Sequence, residues 1–242
     1  MNYLRIVFLL FLLPLGACDV FWWAVTNKQT TYEWRQKLTV DVETPEGLKS
    51  GSAVQNVVLK LGSKTPPNGG RGRARVQGEA VVVDLGKHGF LFVLLKGATF
   101  QGDADVLAPF TFNSLTKSPH TEIAAEKVNA QLLGVAKHLV KETYPLFVTF
   151  KDMNDPASVV LVNPDDMEAT FSPDVKLKRI VLEITDEPVT RGQITKLFKW
   201  FGSHKFHINP GWASLPSEAQ QAISDLVDWE TSLEITKQRS EK

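Results

Sequence analysis

The chain has one cysteine in 242 residues, Cys18, so no intramolecular disulfide is possible and no multi-cysteine zinc site can form. It has no excess of either charge. Lysine and arginine number 27 against 27 aspartate and glutamate, which removes the basic footprint that nucleic-acid binding requires. Long hydrophobic runs are also missing after the first 25 residues, so no later segment has the roughly 20 apolar residues of a spanning helix. There is no Gly-x-Ser-x-Gly elbow, no Asp-x-Asp-x-Asp-Gly calcium loop, no internal repeat and no low-complexity segment. What remains is ordinary globular composition, 43% apolar and 22% charged, which excludes disorder as the main state.

The N-terminus is where the sequence is specific. Met1 to Arg5 carry one positive charge, and an apolar run follows from Ile6 to Leu15. Ten apolar residues suit a signal peptide and are short for a span. The run ends in Leu15-Gly16-Ala17-Cys18, which resembles the cleavage site of a bacterial lipoprotein precursor. That resemblance implies cleavage before Cys18, a diacylglycerol on its sulfur and an acyl chain on the new amino terminus. Each buried methylene of such chains contributes about 0.8 kcal/mol to anchoring in a bilayer. Asp19 resembles the inner-membrane retention signal of enterobacterial lipoproteins. The alternative is an uncleaved anchor in which Val20 to Val25 extend the run, with Trp22 and Trp23 at the interface. Pro14, Gly16 and Asp19 oppose it, since a carboxylate within a span costs roughly 2.5–3.5 kcal/mol.

These features divide the chain into a signal peptide (1–17), a membrane tether (18–35), one α+β domain (36–236) and a short tail (237–242). Loss of Arg5 with the leader leaves the 225 remaining residues with a net charge near −1. Leu38, Val40 and Val42 alternate with Thr39, Asp41 and Glu43, the period of a half-buried strand, stopped by Pro45-Glu46-Gly47. Residues 54–61, 73–84 and 90–95 read as three further strands. They are separated by the Pro- and Gly-rich loop 62–72 and by the turn Gly86-Lys87-His88-Gly89, giving an antiparallel meander. A helix is expected over 119–141, capped by Ser118, with Ala125, Val128, Leu132, Val135, Ala136 and Leu139 as its apolar stripe. A second amphipathic helix is expected over 216–234, with a short one over 164–171 capped by Asn163. Strands are expected over 146–150 and 175–184, the latter with a slip of phase between Leu177 and Ile180. The fold class is thus α+β: an antiparallel sheet with two amphipathic helices packed on it, after an N-terminal signal or anchor segment.

Two blocks carry a second resemblance. Val162 to Phe171, continued by Leu177 to Ile180 and Ile184 to Thr190, is similar to a block from uncharacterised Gram-negative proteins, as is Leu38 to Val54 with its Glu43-Thr44-Pro45-Glu46-Gly47 turn. That family has no established activity, so the resemblance implies one domain and no functional residue.

The remaining constellations have plain readings beside their functional ones. Asp152, Asp155, Asp165, Asp166, Glu168 and Asp174 could offer oxygen to calcium, but they read as turn and helix-start residues. His204 and His207 are three apart, yet sit between Gly202 and Asn209-Pro210-Gly211 without a third ligand nearby; His88 and His120 fall at a turn and a helix start. Ser52, in Gly51-Ser52-Ala53, is a serine beside a glycine and nothing more. No catalytic, cofactor-binding or metal residue follows. Arg71, Arg73 and Arg75 share one strand face and could meet anionic headgroups, or simply solvate an edge strand. Ile194 to Phe201 alternates bulky apolar residues with lysines and reads as core packing ahead of an interfacial helix. The expected function is that of a membrane-anchored envelope lipoprotein acting as a binding module, on the periplasmic face of a membrane and with the inner membrane favoured. The bilayer and an envelope protein would be its partners, and nucleic acid would not. An envelope hydrolase with a site invisible in sequence is the alternative.

Overall fold

The computed structural model describes residues 30–61, 72–113, 121–201 and 217–227. The chain divides into two compact units, residues 1–32 with 59–74, and residues 33–58 with 75–242. The described part of the first unit is the ends of three strands, and every contact discussed below lies within the second.

Among the described residues, nine strands form two antiparallel sheets. β1 (Thr30–Thr44), β2 (Gly47–Leu61), β3 (Gly72–Gln77), β6 (Ala136–His138) and β9 (Lys176–Thr185) make a five-stranded sheet in the order β3-β2-β1-β9-β6. β4 (Val81–Asp84), β5 (Phe90–Gly97), β7 (Pro145–Phe150) and β8 (Val159–Leu161) make a four-stranded sheet in the order β4-β5-β7-β8. The α+β class holds, with strands dominating and the helices short: α1 (Leu107–Thr111), α2 (Thr121–Gln131), α3 (Gln193–Leu197) and α4 (Ser217–Ser224).

The alternation in β1 does what its period requires. Trp34, Gln36, Leu38, Val40 and Val42 are buried, while Arg35, Lys37 and Thr39 lie on the other face and are only half-buried. The strand starts at Thr30, inside the stretch expected to be tether. Its pairing with β9 shifts register between Asp41 and Val42, whose partners are Arg179 and Leu177. Lys178 is therefore the extra residue of a β-bulge, the physical form of the phase slip seen in the sequence.

Four expectations need correction. The helix expected over 216–234 stops at Ser224, and Val227 bridges to Glu79. The single meander is two sheets: the run over 73–84 breaks at Gly78, β3 stays in the first sheet and β4 joins the second. The break is locked by Glu79. Its backbone bridges Val227, and its fully buried carboxylate accepts the amides of Gly192 (2.6 Å), Gln193 (2.8 Å) and Ile194 (3.3 Å). The helix expected over 119–141 ends at Gln131. Gly134 takes a φ of 77°, open to glycine at no cost, and donates its amide to the Ile184 carbonyl at 2.7 Å, so that the chain turns into β6. Of its stripe, Ala125, Val128 and Leu132 are buried in or beside α2, whereas Ala136 is exposed. Residues 164–171 form successive turns instead of a helix: the Asn163 side chain accepts the Asp165 amide, its carbonyl accepts that of Asp166, and the Met167 carbonyl takes those of Thr170 and Phe171.

The four-stranded sheet closes on α3 and α4 through Ala80, Phe92, Leu94, Val148 and Phe150 against Ile194, Phe198, Phe201, Ala222 and Ile223. Ile194 to Phe201 thus packs as core, as expected from its sequence. Among the described residues no helix is long and apolar enough to cross a membrane.

Candidate functional site

β9 stops at Thr185, opposite Arg35, while β1 runs on towards its start at Thr30. The chain then turns through Glu187, whose carbonyl accepts from Arg35 at 2.8 Å and whose carboxylate holds Lys37 at 2.7 Å. A pocket of about 610 Å³ opens where the two strands part company. β1 contributes Glu33, Trp34 and Arg35, β2 contributes Asn56, and Ile184 and Thr185 form the end of β9; Val128, Leu133 and Val189 are the other described lining residues. Its size is that of a small-molecule or short-peptide site.

One wall is polar and wired to the interior. Asn56 Nδ2 donates to Glu33 Oε1 at 2.8 Å and to Gln77 Oε1 at 3.2 Å. The Trp34 indole donates to Gln36 Oε1 at 3.1 Å, and Gln36 Nε2 donates to Gln55 Oε1 (3.0 Å) and to the Ala104 carbonyl (2.8 Å). Gln36 and Gln55 are fully buried amides with their hydrogen bonds met inside the protein. The other wall is aliphatic, and Leu133 stands 65% exposed at its lip. Among the described lining residues the polar groups are a carboxylate, a guanidinium, an amide, a hydroxyl and an indole. The Glu33 carboxylate and the Arg35 guanidinium can orient a polar group while the aliphatic wall takes an apolar one; the Trp34 indole N–H and the Asn56 amide protons are already spent within the protein.

Chemistry of a reactive kind lies at the other end of β1. In the turn between β1 and β2, Glu46 Oε2 lies 3.1 Å from His88 Nε2, and the other ring nitrogen, Nδ1, lies 2.8 Å from Ser172 Oγ. The imidazole is 8% exposed. Lys87 pairs with Glu46 and, with the weaker help of His88, holds the carboxyl down to about 2. Sequence reading missed this alignment because its members sit in three separate turns, at 46, 88 and 172, with no local spacing to signal them.

Two carboxylate groups behave differently. Burial pushes Asp105 and Asp225 above the ordinary carboxylate value, Asp103 adding to the effect on both, and Asp103 in turn raises Lys96 through a 2.7 Å ion pair. The acidic residues singled out in sequence act as turn ligands or surface pairs: Asp152 accepts the Asn154 amide, Asp155 the Ala157 amide, Asp165 pairs with Lys141 and Glu168 with Lys176. Among the described residues no group of three or more histidine, cysteine or acidic side chains could hold a metal ion.

Of the sites expected from sequence, Cys18, Arg71, His120, His204 and His207 lie outside the described residues. Arg73 and Arg75 are exposed on β3, the edge strand of the five-stranded sheet, where positive charge discourages edge pairing. Ser52 lies within β2, and Gly51 beside it has a packing role: a Cβ there would sit 2.0 Å from the Val82 carbonyl oxygen. No family model matches the chain, and neither a curated protein nor a solved structure matches it.

Proposed function

We propose that this chain is a lipoprotein of the bacterial envelope, held on the periplasmic face of the inner membrane by acyl chains on Cys18, and that it binds a partner or ligand through the pocket at the start of β1. The supporting observation is the pocket itself, of ligand size, with a hydrogen-bonded polar wall facing an aliphatic one. Its place in the chain adds to this. Arg35 follows Cys18 by 17 residues, so the pocket lies within about 60 Å of the membrane even with the intervening chain fully extended. A module so tethered meets envelope components at high local concentration. The N-terminal segment ending in Leu15-Gly16-Ala17-Cys18, which resembles a lipoprotein cleavage site, is the sequence feature behind this compartment.

The test is the intact mass and membrane partitioning of the full chain and of Cys18→Ser, expressed in a Gram-negative host. A mature chain beginning at Cys18 with added acyl mass, absent from the variant, is the expected result. Full-length mass in the membrane for both proteins would replace the lipid anchor with an uncleaved N-terminal helix.

A further inference from the structure

We infer that Ser172 is an activated nucleophile, with His88 as its general base and Glu46 as the positioning carboxylate, and that the site hydrolyses short-chain oxygen esters. The inference is independent of the proposed binding pocket, which lies at the opposite end of β1. It rests on three side chains from distant segments aligned in the order that acyl transfer requires.

Ser172 Oγ is 2.8 Å from His88 Nδ1, within hydrogen-bond reach of a base. The second ring nitrogen faces Glu46 Oε2 at 3.1 Å. A carboxylate there accepts a proton from Nε2, which leaves Nδ1 with its lone pair towards the serine hydroxyl. The hydrogen-bond pattern therefore selects the tautomer in which His88 can take the Ser172 proton. Lys87 beside Glu46 keeps that carboxyl ionised across the whole physiological range. Removing the ring from water, at 8% exposure, strengthens both contacts, while Ser172 itself is only half-buried and remains reachable.

The backbone around the nucleophile is also held. The Val175 amide donates to the Ser172 carbonyl at 3.2 Å, closing a tight turn. Within it Asp174 has a φ of 69°, the one non-glycine residue with positive φ among the described residues. Strained positions of this kind cluster at functional sites because the surrounding structure must enforce them.

The reaction is balanced without any further reactant than water. Ser172 Oγ bonds to the ester carbonyl carbon as its proton passes to His88 Nδ1. The carbon–alkoxy bond breaks and the alcohol leaves with that proton. Water then adds to the acyl-serine, giving its proton to His88, and Oγ departs with the proton as the carboxylic acid is released. Glu46 and Lys87 are themselves exposed at the surface, 39% and 69%, so the site is shallow and suits a small acyl group, of acetyl size, presented on a larger molecule.

The experiment treats the full chain, purified from membranes, with a fluorophosphonate probe and locates the adduct by peptide mass. The expected adduct is on Ser172, formed at least 100-fold more slowly in His88→Ala. With p-nitrophenyl acetate, Glu46→Gln should lower kcat about 10-fold with KM unchanged, and Glu46→Asp should recover part of it. A purely structural tie between the three turns would not produce that split. No adduct on Ser172 under conditions that fully label a control serine hydrolase overturns the inference. So does a Ser172 adduct formed at the same rate in His88→Ala. Should His88→Ala fail to fold, the wild-type adduct position and its loss in Ser172→Ala decide the matter.

Discussion

The two sheets are filled with different chemistry. Behind the four-stranded sheet the contacts are ring on ring: Phe92 meets Phe150 edge-on at 5.6 Å, Phe198 sits 4.8 Å from Phe150, and Trp200 sits 4.7 Å from Phe198. At the start of the five-stranded sheet the interior positions hold Trp34, Gln36 and Gln55 in a chain of hydrogen bonds. Apolar packing of the first kind is non-directional and tolerates repacking. Buried amides tolerate little, because each unpaired polar atom costs about 1–3 kcal/mol. A hydrogen-bonded interior fixes the rotamers of the residues that line the adjoining pocket. The difference teaches that the four-stranded sheet supplies stability and the five-stranded sheet supplies a defined surface.

Removing a ring should break the stable side first. Phe198→Ala is expected to lower unfolding free energy by about 3–5 kcal/mol in denaturant titrations, since it opens a cavity among Phe92, Phe150 and Trp200. Gln36→Leu should lose about 1–3 kcal/mol despite its added apolarity, because the Trp34 indole and the Ala104 carbonyl lose their partner. A stabilising outcome in thermal melts would mean that the amides are not what holds the pocket wall.

Acid titration separates the regions by sign. Burial alone would raise Asp41, but the Ser50 hydroxyl (2.6 Å) and Arg179 (2.6 Å) together bring it below its ordinary 3.8. Its folded value is depressed, so its contribution is present above about pH 3.8 and is lost as pH falls below that. Asp105 and Asp225 are raised, so the folded state gains from their protonation and is penalised as pH rises past their folded values. Asp41→Asn should therefore flatten the acid limb of the stability profile, and Asp105→Asn should stabilise the protein at pH 7. Opposite signs would reverse the assignment. The smallest effect belongs to the surface: Lys37→Ala breaks an ion pair to Glu187 and should change stability by less than about 1 kcal/mol.

Period-two patterning made β1 and β9 legible, including the bulge at Lys178, because side-chain alternation is set locally by the pleat. The break at Gly78 was not legible, since Ala80 to Val83 continues the apolar run and the choice of sheet depends on Glu79 meeting residues 192–194 and 227. The stripe ending in Val135 and Leu139 misled for the same reason. Leu139 is buried, as a helix would require, but it lies after the chain has left α2, where its amide donates to the Ile180 carbonyl. The pocket was hidden because Trp34 and Arg35 read as tether, and the Glu46–His88–Ser172 alignment because it is assembled by tertiary contact alone.

The most direct test follows the indole resonances of Trp34 and Trp200 in the nitrogen-15-labelled, detergent-solubilised full chain, assigned by Trp→Phe substitution, during a titration with small-molecule fragments. Trp34 lines the pocket, and Trp200 donates to the Met153 carbonyl beside the four-stranded sheet. The account predicts fragments that shift Trp34, leave Trp200 still and lose their effect in Arg35→Ala. Fragments that shift Trp200 alone, or none that shifts Trp34 at millimolar concentration, would contradict the claim that this end of the five-stranded sheet is the recognition surface.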